Sequence, residues 1–170
     1  MTFSCFISLR RFLLQSISVS LFVVFAQADW PTFRHDAERT GHTPEALPVK
    51  MSLQWVHHTA KPQPAWPRSS RMMFDFAPQS IAVGDMIWFG SSVDGAVHAL
   101  EARTGKRKWI FYTQSPIRFA PVYWEGNLFA GSDDGYLYCL EAASGKLLWK
   151  LRAGPSDEMV LGNGRMVSRW

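Results

Sequence analysis

Histidine and aspartate side chains near the start of the chain have the chemistry of metal ligands. His35, Asp36 and His42 stand close together in the stretch "DWPTFRHDAERTGH". Imidazole and carboxylate groups are ligands that zinc and other transition metals accept. Their spacing matches no structural zinc site, however, and the stretch has a second interpretation as a terminal strand and turn that docks on the fold. Trp30 and Phe33 would then be its apolar anchors.

Other residues with chemical potential also have a structural explanation. The pair His57-His58 could ligate a metal. Asp133-Asp134 could hold calcium, although the glycine that follows makes the pair typical of a turn. Arg118 could bind an anionic group or hold the end of a strand. Cys139 is expected to be a small buried residue rather than a reactive thiol, and we assign no catalytic, cofactor-binding or metal-binding residue.

An internal repeat supplies the elements that must position these residues. The stretch from Ile87 to Trp109 resembles the stretch from Leu128 to Trp149, and glycines and tryptophans recur 40 residues apart. Short apolar runs separated by glycine turns indicate four antiparallel strands per unit, the blade of a β-propeller. In the first unit we expect strands near 79–83, 86–90, 97–101 and 108–112. At the two Asp-Gly pairs, 94–95 and 134–135, we expect tight hairpins with positive φ at both centres.

A tryptophan closes each unit. We expect its ring to pack on the neighbouring blade while the indole N–H finds a backbone acceptor there. Glu101 and Glu141 would accept backbone N–H bonds in the preceding turn. Trp55 has the same position in an earlier, incomplete unit. The two copies of this docking motif comprise Ala99, Glu101, Thr104, Gly105, Lys106, Trp109, Cys139, Glu141, Ser144, Gly145, Lys146 and Trp149.

These motif residues resemble the tryptophan-docking motif of the pyrroloquinoline quinone (PQQ)-like propeller repeat family. The second copy has Cys, Glu and Ser where the family pattern has Ala, Asp and Thr, and the lead-in from Asp29 is similar to the start of secreted bacterial members. The resemblance implies an all-β propeller. Dehydrogenases of this kind hold PQQ and Ca²⁺ over the propeller axis, with an aspartate base and an adjacent cysteine pair, and this sequence contains no such pair.

The N-terminus predicts export. Arg10 and Arg11 precede an apolar run of 14 residues, Phe12 to Phe25, followed by small residues at Ala26 and Ala28. The run is shorter than the ~20 residues that a spanning helix needs, which favours a secretory signal cleaved after Ala28 over an uncleaved membrane anchor. The remaining chain has no cluster of Lys and Arg, so nucleic acid is not an expected partner, and no membrane span is expected after cleavage.

The predicted segments follow from these boundaries. They are a signal peptide at 1–28, an N-terminal docking segment at 29–52 and a partial propeller at 53–170, with full blades at about 74–112 and 117–152 and a further blade from about 160. Propellers close with about four to eight blades, so two full and two partial blades form an incomplete ring, and the chain looks like the N-terminal piece of a longer protein.

The favoured function is an exported, periplasmic or secreted, non-catalytic propeller that acts as a scaffold for protein or ligand binding. Its expected partners are the remaining blades of a longer chain and a protein of the cell envelope. Two alternatives remain: the start of a PQQ-dependent alcohol or sugar dehydrogenase, and an extracellular sensor or carbohydrate-associated module. PQQ and Ca²⁺ are expected only in a full-length context.

Overall fold

The computed structural model describes residues 29–59, 79–162 and 164–169. Across these ranges the secondary structure is β throughout, and no helix is assigned. The predicted signal segment and cleavage site, the Pro-rich stretch 60–71 and the start of the first predicted blade, 74–78, lie outside the described residues. The strands are β1 Ser80–Val83, β2 Met86–Ser91, β3 Ala96–Glu101, β4 Arg107–Tyr112, β5 Val122–Trp124, β6 Asn127–Gly131, β7 Tyr136–Glu141, β8 Leu147–Arg152, β9 Met159–Gly162 and β10 Arg165–Ser168.

The strands form two complete blades and the beginning of a third sheet. Blade 1 has the order β1-β2-β3-β4 and blade 2 the order β5-β6-β7-β8, both antiparallel, and β9 pairs with β10. This is the partial propeller that the repeat predicts. Residues 51–59, around Trp55, have no strand assignment, so the earlier unit is present only as a segment that docks on blade 1.

Glycine shapes the hairpins differently from our expectation. The β2–β3 loop closes with the Gly95 N–H donating to the Ser91 carbonyl at 3.1 Å, which makes it a four-residue loop. Gly95 and Gly135 have φ of 65° and 85°, whereas Asp94 and Asp134 are not among the residues with positive φ. The prediction of positive φ at both centres is therefore wrong. In the longer loop only the last residue needs the left-handed region, which glycine adopts without steric cost.

The core lies in the seam between the two blades. Val97 and Ala99 of blade 1 cluster with Leu128, Ala130 and Leu140 of blade 2, all of them buried. Because both faces of a blade pack against neighbours, its strands do not alternate cleanly between apolar and polar residues. We call this packing layer the second seam, and the layer between blade 1 and residues 53–59 the first seam.

The N-terminal segment crosses the innermost strands of both blades. Trp30 exchanges two backbone hydrogen bonds with Ala82 of β1, at 2.6 and 3.0 Å, and the Pro31 carbonyl accepts from the Tyr123 N–H of β5 at 2.8 Å. Asp29 accepts the Gly84 N–H at 2.9 Å. We call residues 29–31 the axial strap, because the first strand of a propeller blade faces the central channel.

Candidate functional site

The indole of Trp109 is seated on blade 2. Its Nε1–H donates to the Ala142 carbonyl at 3.0 Å, and a methyl group placed on Gly145 would lie 2.6 Å from the ring. The ring therefore covers the bare Cα of Gly145, whose φ of 73° allows the turn to close beneath it. Only glycine combines that backbone conformation with so close an approach.

The same geometry recurs one seam earlier. The Trp55 Nε1–H donates to the Ala102 carbonyl at 2.8 Å, and its ring lies over Gly105. Trp149 is the third tryptophan of the series, and 45% of its surface is exposed although its ring contacts Phe129 at 5.9 Å between centroids. The expectation of an indole on a neighbouring blade thus matches the geometry of Trp55 and Trp109, while Trp149 has no such seat among the described residues.

The turns beneath the indoles have the sequences Thr-Gly-Lys at 104–106 and Ser-Gly-Lys at 144–146, and hydrogen bonds of these residues stabilise them. Thr104 donates its hydroxyl proton to the Glu101 carboxylate, and Ser144 does the same to Glu141. The Gly105 N–H instead reaches the Glu101 main-chain carbonyl at 2.8 Å. Our expectation that the carboxylates accept backbone N–H groups is therefore wrong, because the nearby hydroxyl occupies them and itself accepts from the backbone two residues on.

The same contacts stabilise the charged form of the Glu101 carboxylate in the first turn. The Thr104 hydroxyl, and after it the Lys108 ammonium 2.9 Å away, hold the pKa of Glu101 below its usual value.

Cys139 occupies the strand position of blade 2 that Ala99 occupies in blade 1. Ala99 pairs with Trp109, and Cys139 pairs with Trp149. Cys139 is buried, and burial raises the pKa of its thiol, which disfavours the reactive thiolate.

A further tryptophan contributes to the seam, and the sequence analysis missed it. Trp88 is buried, stacks on Tyr123 and donates its Nε1–H to the Ala142 carbonyl at 3.2 Å, so that carbonyl serves two indoles. Its only sequence signal is its place in the run "IWFG", where the second unit has Phe129. The docking tryptophans Trp109 and Trp149 are each preceded by a turn glycine four residues earlier. Trp88 belongs to no such motif, so the sequence did not indicate that it contacts the other blade.

Each blade also carries an aspartate bonded to a ring four residues later. In blade 2 the Tyr138 hydroxyl donates to Asp134 at 2.7 Å, and in blade 1 His98 Nε2 lies 2.9 Å from the Asp94 carboxylate. Asp134 is 1% exposed and also accepts the N–H groups of Gln114 and Tyr136. Burial, and after it Asp134, raises the pKa of Tyr138. Asp134 therefore has a structural role larger than the turn chemistry expected for it.

The histidines and aspartates considered as possible metal ligands do not form a metal site among the described residues. Within residues 29–59, 79–162 and 164–169, no group of three or more His, Cys, Asp or Glu is placed to hold a metal ion. Asp36 accepts hydrogen bonds from the Thr40 hydroxyl and N–H, which lower the pKa of its carboxyl group, and it lies 3.6 Å from His35.

Two other candidate residues have structural surroundings. Asp133 forms an ion pair with Arg118 at 2.5 Å, which places Arg118 at a connection between strands. Phe33 is 42% exposed, so it is not the buried anchor that was expected.

Two cavities adjoin these elements. One of about 370 Å³ lies in the first seam and is lined by His57, His58, Thr59, Ser91, Asp94, His98 and Arg107. The other, of about 400 Å³, lies beside the axial strap and is lined by Phe33, Arg39, Gln79, Phe119, Ala120 and Val122. The first is lined by polar and charged residue types, and the second is largely apolar, with the Arg39 guanidinium 5.8 Å from the centre of the Phe33 ring.

Comparison with known proteins points to one repeat family. A sequence family described as outer membrane protein assembly factor BamB matches residues 93–169, from the β2–β3 loop through β10. No curated protein matches the chain in sequence.

Several solved structures are similar. A quinohemoprotein alcohol dehydrogenase from Comamonas testosteroni is 21% identical, with a TM-score of 0.49 over 74% of this chain and 19% of its own. BamB from Moraxella catarrhalis is 24% identical, with a TM-score of 0.37 over 40% and 20%. A europium-containing methanol dehydrogenase is 24% identical, with a TM-score of 0.41 over 44% and 15%. The chain spans a fifth or less of the length of these three structures.

Proposed function

We propose that this chain, whose described strands form propeller blades and whose residues 93–169 match the BamB-described family, is a PQQ-like β-propeller repeat protein that acts as an exported, non-catalytic scaffold for protein or ligand binding. The observation that carries this proposal is the axial strap. Its residues bond to the inner strands of both blades, so the polypeptide itself covers the edge that faces the axis. A scaffold is favoured by backbone groups that are already hydrogen-bonded within the protein. A cofactor enzyme instead needs polar groups near the axis that are available to bind the cofactor.

The described residues do not fit PQQ and Ca²⁺. The family resemblance places these groups over the axis, beside a carboxylate base and adjacent cysteines. Cys139 lies buried in β7, the third strand from the axis, and Ala82 and Tyr123 on the inner edges bond the strap. Hard cations such as Ca²⁺ need several oxygen ligands that converge on one point, and the acidic side chains near the strap do not converge.

The surface beside the strap is suited to a binding partner. Phe119 is exposed and, with Phe33 and Val122, borders the cavity of about 400 Å³. Arg39 places a positive charge at the entrance of this largely apolar cavity. Its guanidinium donates hydrogen bonds to the Thr32 hydroxyl and the Phe33 carbonyl. A partner that contributes apolar side chains and a carboxylate would complement it, as hot spots at interfaces combine buried aromatic contacts with arginine.

Export is part of the same proposal, with a mature chain that begins at Asp29. The described residues contain no helix that is both long enough and apolar enough to cross a membrane. Expression of the full chain in a bacterial host, followed by fractionation and N-terminal sequencing, tests this directly. We expect periplasmic protein whose first residue is Asp29, and an intact N-terminus in the cytoplasm would contradict export.

The catalytic alternative is tested with the purified chain. PQQ and Ca²⁺ are added together and separately, and the melting temperature and alcohol-dependent dye reduction are recorded. We expect neither quantity to change, because a ligand stabilises a protein only when it binds the folded state. A saturable rise in melting temperature that requires both PQQ and Ca²⁺ would overturn the non-catalytic assignment.

A further inference from the structure

The two seams use different chemistry at equivalent positions. In the second seam, Phe111 and Tyr112 follow the docking tryptophan Trp109, and Phe111 packs edge to face on Tyr138 at 5.5 Å. In the first seam, His57 and His58 follow Trp55. The position of Tyr138, three residues after the hairpin glycine, belongs there to His98. At the repeat positions of Phe111, Tyr112 and Tyr138, the earlier unit and blade 1 thus have three histidines.

A fourth exchange adds a permanent charge. Arg107 begins β4 at the position where Leu147 begins β8. Arg107 lines the cavity of about 370 Å³ together with the three histidines, and every residue that lines this cavity is polar. Arg107, His57 and His98 thus occupy the repeat positions that Leu147, Phe111 and Tyr138 have one unit later.

The carboxylate in the cavity is already paired. Asp94 lies 2.9 Å from His98 Nε2, and His98 is 9% exposed and stacks on Phe89 at 4.8 Å. On the other side of the same hairpin, Arg165 donates to the Val93 carbonyl at 2.7 Å, which brings a further cation to its edge. Because Asp94 is paired with His98, Arg107 is the permanent cation that a ligand would meet, beside the rings of His57 and His58.

We infer that this cavity binds a small molecule with an oxyanionic group, either a sulfate- or phosphate-like group or a carboxylate. The inference is independent of the scaffold role. The groups that face the cavity are His57 and His58 on the outer segment, Asp94 on the hairpin, His98 on β3 and Arg107 on β4. The Arg107 guanidinium and the N–H groups of the imidazole rings are the donors that would hold the oxygens of such a group.

Calorimetric titration of the full chain with sulfate and, separately, with oxalate at neutral pH tests the inference. Both probes are dianions at this pH, so they differ in the class of oxyanion and not in charge. We expect saturable binding of at least one probe. The arm that binds more tightly identifies the class of oxyanion. Failure of both probes to bind would overturn the inference.

Matched variants separate a built site from general surface charge. Arg107→Leu and His58→Tyr install the residues of the second seam, and we expect each to weaken binding about tenfold. Arg103→Leu removes the same charge from an exposed turn of the same blade and is expected to leave the affinity unchanged. His98→Tyr preserves a ring donor to Asp94, as Tyr138 does for Asp134, so folding can be checked apart from binding. Equal losses in Arg103→Leu and Arg107→Leu would refute the site.

Discussion

Replacement of Gly145 by alanine tests whether the indole seats hold the blades together. Gly145 has φ of 73°, and an added methyl group would stand 2.6 Å from the Trp109 ring. Gly126 is the matched control, since its φ is 80° and its methyl group would meet no atom within 4 Å. Both substitutions strain the backbone in the same way, and only one of them pushes on an indole.

The expected magnitudes follow from these contacts. A left-handed conformation costs an ordinary residue about 1–2 kcal/mol, which is the whole expected effect of Gly126→Ala. In Gly145→Ala the ring must also move, which loses the hydrogen bond to the Ala142 carbonyl, about 1 kcal/mol, and part of the buried indole surface, about 1–2 kcal/mol. We therefore expect Gly145→Ala to lower the free energy of unfolding by about 2–3 kcal/mol more than Gly126→Ala does.

Urea unfolding followed by far-ultraviolet circular dichroism measures both variants, with linear extrapolation to zero denaturant. The comparison uses the difference between the variants, so it does not depend on the absolute stability of the chain. If the two free energies agree within about 0.5 kcal/mol, which is the range of bland surface changes, then the contact of the Trp109 ring with Gly145 contributes nothing to stability. The role assigned to the docking turn would then be wrong.

Three further outcomes are expected. Trp109→Ala lowers the free energy of unfolding by about 3–5 kcal/mol and Trp149→Ala by about 1 kcal/mol, because the second ring is nearly half exposed; urea unfolding compares them. Asp134→Ala costs about 3 kcal/mol in the same assay, since it leaves buried donors without their acceptor. Because the pKa of Tyr138 is raised in the folded state, its stabilising contribution is present below the ordinary tyrosine pKa of about 10 and is lost as the pH rises above it. Tyrosinate absorbance should show one phenol that ionises only above the ordinary tyrosine range, and Tyr138→Phe should remove this late step.

The positions of the strands were accessible from the sequence because local chemistry decides them. Alternating apolar runs and the recurrence of Gly105 at Gly145 predict four-stranded units, and the observed strands of blade 1 differ from the expected ones by one residue at their ends. The seat of Trp109 could be anticipated for the same reason, since both motif copies place a glycine four residues before the tryptophan, and Trp55 was expected at the same position of an earlier, incomplete unit.

The partners of individual polar atoms could not be anticipated in this way. Glu101 accepts from Thr104 rather than from the backbone, and Asp134 joins Tyr138 to a connection between blades, because both outcomes depend on distances of a few tenths of an ångström. The N-terminal segment was expected to dock on the fold with Trp30 and Phe33 as apolar anchors, but Phe33 is 42% exposed. The apolar character of the residues in a short loop does not predict which aromatic side chain will be buried.

The sequence by itself determined the repeat, the fold class and the residues that close each blade, since these depend on spacing and on the steric freedom of glycine, which are properties of the chain. Tertiary structure alone decided which seam each side chain enters. Only there do His57, His98 and Arg107, separated by up to 50 positions, line one cavity. The physical reason is that a site is made by packing separate strands face to face, and that packing minimises the free energy of all the strands together.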